Sequence, residues 1–199
     1  IAWDGSAAPL TSSLSDVVLA GSNCLEFTDL HLVEAKNVDV SACTGQINFR
    51  DSTINMSNSI QGTSVTFDMT GQPSILRWID SADLGTLNVG VGSLIDEMWT
   101  LHVWATNQHN HGLPNAVVNL SFDQFESGQT HTLPYIGNAI LGPFSVQQTD
   151  WMGPSAWTEY WIGCEYEGER TDSSQSEPIP TNRIPNFSPP VVIQSLIHI

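Results

Sequence analysis

Between Leu25 and Val91 a short apolar-polar-apolar motif returns at Leu25-Glu26-Phe27, Ile47-Asn48-Phe49, Val65-Thr66-Phe67 and Leu87-Asn88-Val89, with starts 22, 18 and 22 residues apart. Successive side chains of an extended strand point to opposite faces, so each triplet sends two apolar groups one way and a polar group the other. A return period of about 20 residues lets the copies stack, each rung burying its apolar face against the next. Helical periodicity is absent here, and Gly, Asn, Asp, Ser and Thr crowd the intervening corners, where tight turns are needed. The expectation is an all-β fold whose first domain, residues 1–96, is a short parallel β-solenoid. Its hand should be right, because parallel crossovers nearly always are.

The coils read in order. Val17-Val18-Leu19-Ala20 makes a leading strand or cap, placed where a stack needs its open end covered. Leu30 and Leu32 then lead to the alternating Val38-Asp39-Val40. In the second coil Ile54 and Met56 flank Asn55, whose parity sends it outward. The third turns at Gly71-Gln72-Pro73 into Ile75-Leu76 and Trp78-Ile79, and a partial fourth ends in Leu87, Val89 and Val91.

At Glu97 the pattern lengthens. Trp99, Leu101, Val103 and Ala105 share one strand face, opposite Met98, Thr100, His102 and Trp104, and Ala116, Val118, Leu120 and Phe122 alternate with Val117, Asn119 and Ser121. Gly112-x-Pro114-x-Ala116-x-Val118 follows an alternating strand, and Thr132 to Leu141 forms a second turn and apolar strand. These features resemble the carboxypeptidase-regulatory-like, Ig-like β-sandwich modules of secreted prokaryotic surface proteins, with Asn, His and Tyr where acidic residues are usual in the turns. The resemblance implies an Ig-like sandwich over residues 97–199, and the pairing of solenoid with sandwich is similar to large surface proteins of marine bacteria and archaea. Residues 171–190, rich in Ser, Pro and Asn, read as a long loop. Residues 191–199 read as a terminal strand. Its apolar residues Val191, Val192, Ile193, Leu196, Ile197 and Ile199 either complete the sandwich or form a subunit contact by strand donation.

The formal net charge is −16, from 21 acidic and five basic residues. Too few cations exist to build a phosphate-binding patch, which excludes nucleic acid as an expected partner and disfavours anionic membranes. No apolar run reaches the roughly 20 residues a spanning helix needs, so membrane insertion is not expected. The start at Ile1, with no methionine or signal-like segment, reads as a processed form or a piece of something longer. The acceptor triplets at Asn55, Asn119 and Asn186 add to an expectation of export to an extracellular or cell-surface location, with those residues as glycosylation candidates. Cys24 and Cys43 flank the first coil and suit a bridge between neighbouring coils, the alternative being two buried thiols. Cys164 falls on the apolar side of a strand and reads as a buried thiol.

Sites for chemistry are sparse. His109 and His111, with His102 or His131, have a weak metal-ligand spacing and otherwise form a solvated turn. Asp80 and Asp83 sit at a coil corner as weak Ca²⁺ candidates, in place of which an acidic turn suffices, and no other cofactor is expected. Trp151, Trp157 and Trp161, near Tyr160, are either sugar-stacking rings or core. A polysaccharide-cleaving solenoid would draw its acids from Asp39 and Asp51 and its basic residue from Lys36 or Arg50, although four coils give only a short groove. Gly-x-Ser-x-Gly, a phosphate loop and His-Glu-x-x-His do not occur. The reading is a non-enzymatic structural or adhesive surface component, self-associating through strand pairing into a filament or surface layer or joined to neighbouring domains. A carbohydrate-binding module and a polysaccharide lyase or hydrolase are the alternatives.

Overall fold

The computed structural model describes residues 2–4, 11–30, 32–82, 84–107, 111–121, 129–132, 137–156, 160–166, 169–170, 177–179 and 191–194. Its strands are β1 (Ala2–Asp4), β2 (Thr11–Ser22), β3 (Glu26–Thr28), β4 (Leu32–Arg50), β5 (Thr53–Ser57), β6 (Val65–Met69), β7 (Ile75–Ile79), β8 (Thr86–Val89), β9 (Leu94–Thr106), β10 (Val117–Ser121), β11 (Gln129–Thr132), β12 (Asn138–Asp150), β13 (Gly153–Pro154), β14 (Tyr160–Tyr166), β15 (Glu169–Arg170), β16 (Glu177–Ile179) and β17 (Val191–Gln194). Among the described residues there is no helix. Two compact units divide the chain: residues 1–99 with 145–156, and residues 100–144 with 157–199.

The first unit is a parallel β-solenoid. On one side β2, β4, β5, β7 and β9 pair in parallel, and on the other β1, β3, β4, β6 and β8 do. β4 is long because it turns a corner and serves both sides. Inward positions stack into columns: Val33, Ile54, Leu76 and Ile95 form one, all buried. The aromatic residues interlock across the interior, with Phe27 and Phe49 stacked at 5.3 Å, Phe49 and Phe67 edge-on at 5.4 Å, and Phe67 and Trp78 edge-on at 5.6 Å. Such pairs add about 0.5–1.5 kcal/mol each beyond area burial. β2, expected as a leading strand or cap, is a rung paired with β4 from Thr11↔Leu32 to Ser22↔Thr44, with a register shift between Val18 and Ala20.

The repeat found the faces but misplaced two registers. Aligning the triplets sets Ile47 against Val65 and Val65 against Leu87, whereas the ladder pairs both Ile47 and Leu87 with Phe67. A two-residue slip leaves every side chain on its original face, so alternation is blind to it.

Corners decide the register. Asp16, Asn37, Asn58 and Asp80 stack at one corner with φ of 55°, 54°, 49° and 46°, and Asp29 and Asp51 mark another with 53° and 46°. Asn and Asp tolerate this left-handed conformation better than other residues with a side chain. At Gly62, φ is 83° and an added Cβ would lie 2.6 Å from the Ser41 Cα of the rung below. Only glycine allows that approach.

Two columns of buried serines follow the corners. Ser52, Ser74 and Ser93 accept hydrogen bonds from the N–H groups of Leu30, Ser52 and Ser74, each at 3.1 Å. Ser59 and Ser81 do the same for Val38 and Ser59, at 3.2 and 2.9 Å. Each hydroxyl donates onward to a carbonyl, as from Ser52 to Arg50 at 2.7 Å and from Ser81 to Ile79 at 2.8 Å. A backbone N–H leaving the ladder at a buried corner is thus satisfied by a hydroxyl one rung away. Buried Gln61 ties the third and fourth coils similarly, donating to Val65 O and Thr86 O and accepting from Gly85 N–H. Cys24 and Cys43 form a disulfide with Cα atoms 6.1 Å apart.

The second unit contains an antiparallel sheet ordered β11, β10, β14, β15, with β16 also paired to β14. Leu101, Val103 and Ala105 of β9 are buried, as are Ala116, Val118 and Leu120, matching the alternation of both segments. β17 pairs in parallel with β9 of the same chain, Val191↔Val103, Val192↔Trp104 and Ile193↔Ala105. One edge of Val191–Gln194 is therefore engaged within its own chain. Leu196, Ile197 and Ile199 lie outside the described residues.

Candidate functional site

The last rung of the solenoid differs from those beneath it. β8 pairs with β6, and among the described residues no strand pairs with its other edge. The opposite wall continues further, since β9 is followed in its sheet by β12 and then β13. A groove of about 660 Å³ lies at this step, lined by Leu84, Leu87 and Val89 on the β8 side, by Glu97, and by Thr149 and Trp151 of the β12–β13 hairpin. That volume is within the usual range of ligand clefts.

Register explains the carboxylate. Ala35, Met56, Trp78 and Glu97 occupy equivalent inward positions on β4, β5, β7 and β9. The first three are buried, while Glu97 is only partly so. An acid is tolerated in an inward column only where that column meets water, which it does at the groove. Leu84, Leu87 and Val89 are partly buried against the same core.

The hairpin is braced locally. Asp150 pairs with Gly153, the Met152 N–H donates to Asp150 Oδ1 at 2.7 Å, and Gly153 has φ of 113°. Ser155 fastens the hairpin's base by donating its N–H to Gln148 O at 2.7 Å and accepting the Gln148 N–H at 3.0 Å. This tight turn holds Trp151 and Met152 56% and 78% exposed. The hairpin belongs to the first unit although it lies far along the chain. A turn signal is legible in Asp150-Trp151-Met152-Gly153, but nothing in it tells which sheet the hairpin joins.

The candidates for polysaccharide cleavage do not converge. Lys36 and Asp39 flank the Asn37 corner, whereas Arg50 and Asp51 stand at the Asp51 corner at the far end of β4. The Arg50 guanidinium donates to Asp68 Oδ2 at 2.8 Å, to Asn48 Oδ1 at 3.0 Å and to the carbonyls of Phe49 and Asp68 at 3.1 and 3.2 Å. Four acceptors thus hold it in the rung. The Ser41 hydroxyl and N–H hold the Asp39 carboxyl below the ordinary range.

Asp80 is a left-handed corner residue and Ser81 beside it is buried, while Asp83 lies outside the described residues. Among the described residues no three His, Cys, Asp or Glu side chains gather as a metal site would require. His111 is exposed and its N–H donates to Asn107 Oδ1 at 3.1 Å. His109, Trp157 and Asn186 lie outside the described residues, as do the side chains of His102, His131 and Trp161.

Asn55 projects outward and part-exposed, as its parity predicts, in a row with Glu34 and Arg77. Its amide donates to Glu34 Oε1 at 2.7 Å and its oxygen accepts from Arg77 at 3.2 Å. Asn119 lies on β10, between β11 and β14. Its Oδ1 is buried with no hydrogen-bond partner among the described residues. Burial raises the Cys164 thiol to about 11, with Glu165 adding to the shift. No helix among the described residues is long and apolar enough to cross a membrane.

Fold and ladder place the chain among all-β proteins with a parallel β-solenoid. Comparison with known protein families, with curated proteins and with solved structures gives no match.

Proposed function

We propose that this chain is a non-enzymatic structural or adhesive component of an extracellular surface, a right-handed solenoid followed by an Ig-like module. The observation that supports the reading is the cross-linking of successive rungs by hydroxyls, a disulfide and interlocked rings, a design suited to a rigid spacer. On this reading the acidity keeps the surface soluble and the outward Asn55 is a glycan acceptor. Electron microscopy of the native material, with light scattering of the full chain at rising salt, tests the proposal. Ordered assemblies or a decorated surface layer are expected, and a monomer that depolymerises acidic polysaccharides would overturn it.

A carbohydrate-binding module is the second reading, and exposed Trp151 favours it. A glycan array probed with the wild type and with Trp151→Ala tests it: ring-dependent binding supports the module, and no binding removes it.

A further inference from the structure

Four methionines occur in the chain, and the fold treats them unequally. Met56 and Met69 lie in the solenoid interior at 1% and 0% exposure, Met98 is half-buried on β9, and Met152 stands 78% exposed at the tip of the β12–β13 hairpin. We propose that Met152 is a reversible oxidation site, converted to the sulfoxide by hydrogen peroxide or a related hydroperoxide and restored by a methionine sulfoxide reductase.

Access sets the first condition. The oxidant must touch the thioether sulfur, so the order of reaction follows exposure. Peroxide reaches Met56 or Met69 only when rungs of the solenoid part. The hairpin holds Met152 in the opposite situation. Its N–H is tied to Asp150 Oδ1 at 2.7 Å, Gly153 turns the chain with φ of 113°, and Ser155 closes the base through two hydrogen bonds to the Gln148 backbone. These bonds fix the tip in its exposed position, and a reductase needs the same access.

The reaction balances without a further partner. A sulfur lone pair attacks one peroxide oxygen, the S–O bond forms as the O–O bond breaks, and the proton on the transferred oxygen passes to the leaving oxygen, which departs as water. Sulfur loses two electrons and the peroxide gains them. In the return step a dithiol supplies two electrons and two protons, the S–O bond breaks, and water and the reductant's disulfide are released.

Location decides what the new oxygen does. In the column of Ala35, Met56 and Trp78 it would bury a polar group among apolar neighbours. At the hairpin tip it faces water, and no packed rung is disturbed. Met152 also lines the groove beside Trp151, so the sulfoxide gives that lip a hydrogen-bond acceptor in place of an apolar thioether. The site is the same whether the chain serves as a scaffold or binds sugars.

The full chain treated with graded hydrogen peroxide and mapped by peptide mass spectrometry tests the proposal. Met152 should be oxidised at least about tenfold faster than Met56 and Met69, with Met98 between them, and in concentrated urea the four should react at similar rates. Met152→Leu should lack the fast phase. The chain carrying one oxygen at Met152 should melt within about 2 °C of the untreated chain, as a change at an exposed position does. Reductases for the two sulfoxide epimers, supplied with dithiothreitol, should return the Met152 peptide to its original mass in the same map. Equal rates at Met152 and Met56 in the folded chain, a melting temperature lowered beyond that range by the single oxygen, or a Met152 sulfoxide that both reductases leave unchanged would each overturn the proposal.

Discussion

Replacing Ser74 by alanine removes one hydroxyl from the middle of a buried column. In the native chain its Oγ accepts the Ser52 N–H at 3.1 Å and donates to the Gln72 carbonyl at 3.3 Å. The side chain is 2% exposed, so water cannot replace it without opening the corner. An orphaned buried donor costs about 1–3 kcal/mol, which makes about 2 kcal/mol the expected loss for Ser74→Ala. For a chain of this size that corresponds to a fall in Tm of roughly 4–8 °C. Ser22→Ala, at an exposed position, is the control and should stay within about 0.5 kcal/mol of wild type. Ser52→Ala orphans a different donor, the Leu30 N–H, so the double variant should lose more than either single in urea unfolding, with the two losses not simply adding because the serines are hydrogen-bonded neighbours. Amide exchange should quicken at Ser52 in the single variant. A Ser74→Ala melting curve that overlays Ser22→Ala, or a double variant no weaker than one single, would refute the claim that these hydroxyls satisfy the corners one bond at a time.

Reducing the bridge between Cys24 and Cys43, 19 residues apart, should cost about 3 kcal/mol on a loop-closure account, read as a lower urea midpoint in dithiothreitol. Phe49→Ala should cost about 3–5 kcal/mol because it opens a cavity between Phe27 and Phe67, and Phe49→Leu should cost distinctly less in the same assay. Raising the Cys164 thiol from 9.0 to about 11 leaves it about a hundredfold poorer in thiolate near pH 8, so a thiol reagent should label it about that much more slowly than in urea. Because that folded value is raised, its contribution to stability is full below about pH 9 and is lost as pH climbs towards 11, which alkaline melting curves check. Asp39 runs the other way. Its carboxyl is held below 3.8, so its contribution is present above that pH and is lost as pH falls through the lower folded value.

Much of the solenoid was readable in advance because a parallel stack repeats one local pattern. Alternation at Leu25-Glu26-Phe27 and Ile47-Asn48-Phe49 assigns faces without any knowledge of partners, and these two triplets do pair, Glu26↔Asn48 and Phe27↔Phe49. Asn55 is outward for the same local reason. The serine columns were missed, although Asp51-Ser52, Asn58-Ser59 and Asp80-Ser81 carry a signal in hindsight: a left-handed corner residue followed by a hydroxyl. The sequence offers Arg50 with Lys36 only as a basic candidate for polysaccharide cleavage, and its ion pair with Asp68 joins residues 18 apart through the ladder, a relation no local pattern contains.

Strand identity, the inward or outward sense of each side chain and the acidity of the surface all follow from the order of residues, because each is a property of a few neighbours along the chain. Which rung lies over which, that no strand among the described residues meets the outer edge of β8, that Glu97 ends an apolar column, and that a hairpin at Trp151 returns to the solenoid were decided only in three dimensions. The physical reason is that parallel pairing bonds residues about 20 apart, and slips of two residues leave the local pattern unchanged while altering every corner, hydroxyl and charge that meets across the rungs.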